Sequence, residues 1–175
     1  IALNLDKGHI IYDSMPKDKK YKIYSYEIDA TESFDSDIRI TLTRRNFPCE
    51  FFVFLNLDTF KLDSYDEIKG YDWISEYNNE LVIQKTDPKY SKKGPYYIVV
   101  SRIYFMGLDN GEADSYYIGV TDEKTSFLLF ENMQHSVALN DKYTYQSYWY
   151  THPDASYDFT LSLNVLYGTV NIYID

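Results

Sequence analysis

Ile38-Arg39-Ile40-Thr41-Leu42-Thr43 alternates apolar and polar residues without a break. Successive side chains of a β-strand point to opposite faces. The stretch therefore puts Ile38, Ile40 and Leu42 on one face and the polar residues on the other. A slip of one residue would exchange the faces, so the register is well specified. The same period of two continues outward. Tyr24, Tyr26 and Ile28 share one face of a strand over 20–30. Further strands are expected near 37–44, 50–56, 80–85, 95–105, 114–121, 143–151, 157–165 and 169–175. Shorter ones are expected near 1–5, 9–12 and 126–130. No stretch sustains an apolar period of 3.6, and residues 57–79 read as a long loop or one helical turn. Short strands between polar turns predict an all-β fold, an antiparallel β-sandwich or jelly roll. Tyr24 and Tyr26, once buried, need partners for their hydroxyls at the sandwich rim.

The chain also begins to repeat itself. Tyr21, Tyr24 and Tyr26 recur about 124 residues later as Tyr145, Tyr148 and Tyr150. Asp37, Ile38, Ile40 and Leu42 recur about 121 residues later as Asp158, Phe159, Leu161 and Leu163. A tandem repeat with a unit of about 120–125 residues fits both offsets. On that reading residues 1–124 form a complete sandwich and 125–175 the first half of a second. Half a sandwich cannot bury its own apolar faces. It is completed by a partner, or by sequence beyond Asp175.

Acidic residues number 27 against 17 basic ones, a net charge of −10. Nucleic-acid binders need a basic footprint, so that class is excluded as an expectation. No polybasic patch is present for anionic lipid. No apolar run reaches the ~20 residues of a membrane-spanning helix, so no membrane insertion is expected. Cys49 is the only cysteine, so no intrachain disulfide can form. The 20 tyrosines are the compositional outlier. They suit pleated, half-buried surfaces. A codon bias that raises Tyr, Ile, Lys, Asn and Phe together accounts for them equally well.

Several strand motifs resemble a known family. Gly94-Pro95-Tyr96-Tyr97-Ile98-Val99-Val100 resembles a G-x-Y-Y-I-x-V strand, and Asp114-Ser115-Tyr116-Tyr117-Ile118-Gly119-Val120 a closing strand. Lys22 to Ile28 resembles an upstream D-x-Y-x-F-x-V strand. Ile40-Thr41-Leu42 followed by Glu50-Phe51-Phe52-Val53-Phe54 resembles a hairpin, and Gly168 to Ile174 resembles that hairpin's second strand. Their order resembles the bacterial pre-peptidase C-terminal domain, a jelly-roll-like sandwich found beside secreted proteases and in large surface proteins. Calpain-type and convertase-type accessory domains share similar patterns. The resemblance covers about residues 10–121 and 135–175. It implies an accessory, extracellular or cell-surface, non-catalytic module. Cys49-Glu50-Phe51 stands where the family's paired aspartates are expected, so its metal or collagen-binding roles do not carry over.

Candidate chemistry is sparse. His9, His135 and His152 are too scattered for a metal cluster. His9 and His135 suit a structural role near a sheet edge. Cys49 precedes Glu50, whose charge raises a thiol pKa, so an inert thiol is the expectation. No nucleophile elbow or phosphate loop occurs. Asp109, Glu112 and Asp114 surround Gly111 with the oxygen ligands that Ca2+ takes, although polar turns of this composition are common. If Tyr96, Ile98 and Val100 point inward, Tyr97 and Val99 point out, and by the same rule so does Tyr117. Tyr21, Tyr145 and Trp149 are further outward candidates. Exposed aromatics stack on sugars or centre a protein interface. The ordinary alternative is that each covers its cross-strand neighbour, contributing about 0.2–1 kcal/mol. The functional expectation is a non-catalytic extracellular assembly protein, a filament or surface-layer component, that self-associates or packs against neighbouring sandwich modules. The rival is a carbohydrate- or protein-binding accessory module of a secreted hydrolase.

Overall fold

The computed structural model describes residues 2–16, 18–28, 36–44, 49–57, 62, 68–75, 80–92, 94–102, 114–122, 124–130, 133–136, 139, 145–151, 158 and 160–174. The strands are β1 (Leu3–Asn4), β2 (Ile10–Met15), β3 (Tyr21–Tyr26), β4 (Ile38–Arg44), β5 (Cys49–Phe54) and β6 (Trp73–Ile74). They continue with β7 (Glu80–Ile83), β8 (Tyr96–Arg102), β9 (Asp114–Thr121), β10 (Phe127–Leu129) and β11 (Tyr148–Tyr150). A five-stranded sheet runs β1-β3-β8-β5-β6, and a four-stranded sheet runs β2-β9-β4-β7. The β1–β3 and β10–β11 pairs are parallel, and the other ladders are antiparallel. From β1 to β5 each strand lies in the opposite sheet from the one before it. Tight hairpins therefore do not fix the register there; the inward faces do.

Those faces are the ones that alternation selects. Tyr24 and Tyr26 of β3, Phe51 and Val53 of β5, and Tyr96, Ile98 and Val100 of β8 face Ile38, Ile40 and Leu42 of β4 and Tyr116, Ile118 and Val120 of β9. Cys49 is buried in the same core. The fold is an all-β sandwich with largely antiparallel sheets.

Tyrosine hydroxyls bind the sheets together. The Tyr24 and Tyr116 hydroxyls are 2.6 Å apart, across the core. Tyr24 also donates to Asp13 Oδ2 at 2.7 Å. Lys22 donates to the other Asp13 oxygen and, at 3.1 Å, to the Ser14 carbonyl. Burial acts to raise the Asp13 pKa, but the hydrogen bonds from Lys22, Tyr24 and the Ser14 amide outweigh it and hold the carboxyl below its usual range. Burial and the adjoining Tyr116 push the Tyr24 phenol far above the ordinary tyrosine range. Replacing Tyr24 by Phe leaves Asp13 and Tyr116 each one partner short inside the rim. The expected loss is about 1–3 kcal/mol in urea unfolding. A variant as stable as the parent would show that the bridge contributes nothing.

Both outer faces are covered as well. Val99, expected to point to solvent, is buried with Phe52, Phe54 and Leu62, and Ile68 and Ile74 pack against them. The excursion after β5 lays these apolar residues over the five-stranded sheet.

Two expected strands, 157–165 and 169–175, do not form among their described residues. Residues 160–174 are exposed and join no ladder. Alternation records which side chains share a face but not whether a neighbouring strand is there to take the backbone hydrogen bonds. The strand expected over 143–151 shortens to β11 within its described residues.

Candidate functional site

The polar side of β4 does not face water. Arg39 is 4 % exposed, and Thr41 and Thr43 are also buried. Alternation alone assigns this face no cover, but β10, residues 133–136 and β11 lie over it. Gly119 of β9 makes the approach possible. A Cβ built there would lie 3.0 Å from Phe127 Cε1, 3.0 Å from Ile10 Cγ1 and 3.1 Å from the His9 carbonyl oxygen. Phe127 is fully buried in the resulting seat, against Ile10 and Tyr117.

Behind Phe127, His135 reaches the sheet. Its Nε2 lies 3.0 Å from Thr41 Oγ1 and its Nδ1 3.0 Å from the Tyr148 hydroxyl. The ring centroids of His135 and Phe127 are 4.7 Å apart, edge to face. The next backbone amide, Ser136, donates to Thr43 Oγ1 at 2.8 Å. Gln146 Oε1 accepts from Arg39 Nη1 at 2.9 Å. Arg39 Nε and Nη2 donate to Glu80 of β7, at 2.6 Å to Oε1 and 3.1 Å to Oε2. A bidentate pair of this kind neutralises the buried guanidinium. Burial, and then the Arg39 charge, lower the His135 pKa to about 4. Burial pushes the Tyr148 phenol up to about 12.

The β10–β11 ribbon turns its other side outward. Leu128 pairs with Trp149 in the ladder. Trp149 is 69 % exposed and Tyr145 68 % exposed. Ser126 and Ser147, between them, share a hydrogen bond of 2.7 Å. Beyond the ribbon, Leu161, Leu163, Val165, Leu166, Tyr167, Ile172, Tyr173 and Ile174 are all exposed. Gly168, at φ +86°, takes the left-handed bend that glycine adopts without strain.

Of the candidate aromatics, only Tyr145 and Trp149 are strongly exposed. Tyr117 is a correction: at 8 % exposure it is buried, because β10 folds over it and the Tyr12 ring lies 5.1 Å away. Tyr97 and Tyr21 are half-buried against the apolar layer on the five-stranded sheet. Tyr12, which sequence reading did not single out, is exposed. Asp109 and Glu112 lie outside the described residues, as does His152, and Asp114 opens β9. Among the described residues no group of three or more His, Cys, Asp or Glu side chains is placed to hold a metal ion. His9 is exposed; His135 has a structural place, on the sheet's face rather than at its edge.

Sequence reading also passed over Gly119, Phe127 and the Arg39–Glu80 pair. Gly119 was detectable, since a glycine inside a strand marks a bulge or a close approach of other atoms. Arg39 and Glu80 carried no such mark.

No family model matches the chain, and no curated protein matches it. Solved structures do. One is the pre-peptidase C-terminal domain of a collagenase from Bacillus anthracis, at 14 % identity and a TM-score of 0.45, covering 69 % of this chain and 94 % of that one. Another is PliG of Salmonella Typhimurium, a periplasmic inhibitor of g-type lysozyme, at 13 % identity and a TM-score of 0.36, covering 69 % and 97 %.

Proposed function

We propose that this chain is a non-catalytic β-sandwich module, working outside the cytoplasm, that acts by association. The observation that carries the reading is the set of exposed apolar side chains between Leu161 and Ile174, together with the exposed Trp149 and Tyr145. Backbone that joins no ladder offers N–H and C=O groups to a neighbouring sheet edge, and the exposed side chains offer apolar contact. Strand addition onto a second sandwich module, of this chain or of a neighbour, uses both. A head-to-tail contact of that kind grows into a filament unless its rotation closes a ring. The strand-motif resemblance supports the accessory, extracytoplasmic character of the module.

Light scattering of the full chain tests this over a concentration series. Leu163→Asp with Ile172→Asp puts two charges into the proposed contact. The parent chain is expected to form defined oligomers or fibres, and the double variant to stay monomeric with an unchanged sandwich. A parent chain that stays monomeric throughout would remove the association reading.

A second reading rests on the exposed Trp149 and Tyr145. Exposed aromatic faces suit a carbohydrate, the expectation for an accessory binding module. Saturable glycan binding lost in Trp149→Ala would favour it over self-association.

A further inference from the structure

We propose that His135 is an acid-sensitive latch: proton uptake by its ring releases β10, residues 133–136 and β11 from the outer face of the four-stranded sheet while the inter-sheet core stays folded. This goes beyond the association reading and does not depend on it.

The geometry carries the inference. His135 sits between the sheet and its cover, with one ring nitrogen on Thr41 of β4 and the other on Tyr148 of β11. It thus joins the two layers that would separate. The groups around it are unsuited to a positive ring. From β4 come the Arg39 guanidinium and the neutral Thr41 hydroxyl. From β10 comes the Phe127 ring, and from β11 the Tyr148 phenol, which stays un-ionised in acid. From β7 comes Glu80, whose two carboxylate oxygens are both engaged by Arg39. The adjoining described residues Met133, Gln134 and Ser136 bring no charge. Among the described residues, an imidazolium here faces the Arg39 charge and low-dielectric surroundings, while the Glu80 carboxylate is engaged by Arg39.

The sign follows from proton counting. The docked ring, with its pKa lowered to about 4, holds fewer protons below neutrality than the released ring, which titrates near its ordinary 6.5. Acid therefore favours release. The effect is small above pH 7, grows as the pH falls through 6.5, and levels off below about 4. Between pH 7 and 5 the opening equilibrium is expected to rise about 20-fold.

Amide exchange of the full-length chain, expressed as protection factors corrected for intrinsic pH dependence, reads this directly. Amides of β10, β11 and residues 133–136 are expected to lose about 20-fold in protection from pH 7 to 5, while those of β3 and β8 hold. His135→Asn keeps polar groups at the site and cannot take up the proton, so its protection should be flat over that range. Should this variant fail to dock, the wild-type chain decides alone: the His135 ring resonances and the β10–β11 amides must change with one midpoint. Unchanged protection down to pH 4 overturns the proposal. So does loss in step with β3 and β8, a ring that titrates near 6.5 with the cover still protected, or a cover unprotected at pH 7.

Discussion

Replacing Glu80 by Ala is expected to cost about 3–5 kcal/mol of unfolding free energy, because it removes the bidentate partner of a guanidinium already taken out of water. Arg39 and Glu80 side chains are 5 % and 9 % exposed, so solvent does little to screen the loss. Gln146 stays on Arg39 Nη1, but a neutral amide does not replace a carboxylate. Urea unfolding followed by fluorescence measures the effect. The informative companion is the double variant Arg39→Met with Glu80→Leu. Swapping a buried pair for apolar residues of similar volume is often near neutral, so most of the stability should return. Some deficit should remain, since Gln146 then loses its donor. A single variant within about 1 kcal/mol of the parent would mean that water reaches Arg39 and that the face is not sealed.

Phe127→Ala is expected to cost as much, about 3–5 kcal/mol, by a different route. Phe127 fills the space that Gly119 leaves open, and it packs on Ile10, Tyr117 and the edge of His135. Truncation leaves a cavity that β10 cannot close, because the Leu128 amide is tied to the Gly8 carbonyl at 2.9 Å. Gly119→Val approaches the same seat from below and should loosen the same cover by crowding, at about 1–3 kcal/mol. Thermal unfolding of both variants, with Tyr148 exchange as the local readout, separates a loosened cover from a weakened core. If neither variant affects Tyr148, the seat does not hold the ribbon.

The sandwich itself was legible in the sequence because its inner faces are apolar at every second residue. Ile38, Ile40 and Leu42, Tyr96, Ile98 and Val100, and Tyr116, Ile118 and Val120 all face the core as alternation requires. The need of Tyr24 for a hydroxyl partner was legible too, and Asp13 and Tyr116 meet it. The cover was not. Arg39, Thr41 and Thr43 look like a solvated face, and only the tertiary partners Glu80, Gln146, His135 and Ser136 make them an interior one. The recurrence of Tyr145, Tyr148 and Tyr150 shows the same limit. Their spacing matches β3, yet Tyr148 packs on Phe127 and His135 over the outer face of the four-stranded sheet. Leu161 and Leu163 carry the period of a strand without a ladder beside them. Spacing describes what a segment offers, and the rest of the chain decides whether the offer is taken.

The salt-bridged Asp13 has an effect at long range. It accepts the backbone amide of Ser14 at 2.7 Å, while Lys22 caps the carbonyl of the same residue. Ser14 lies on β2, one border of the four-stranded sheet, and the opposite border is β7. Side chains thus blunt one border at this residue, as a strip of tape blunts a zipper's teeth. At Ser14 the β2 border is closed as a template for an incoming strand. Crowded molecules would be hindered from fusing border to border through β2.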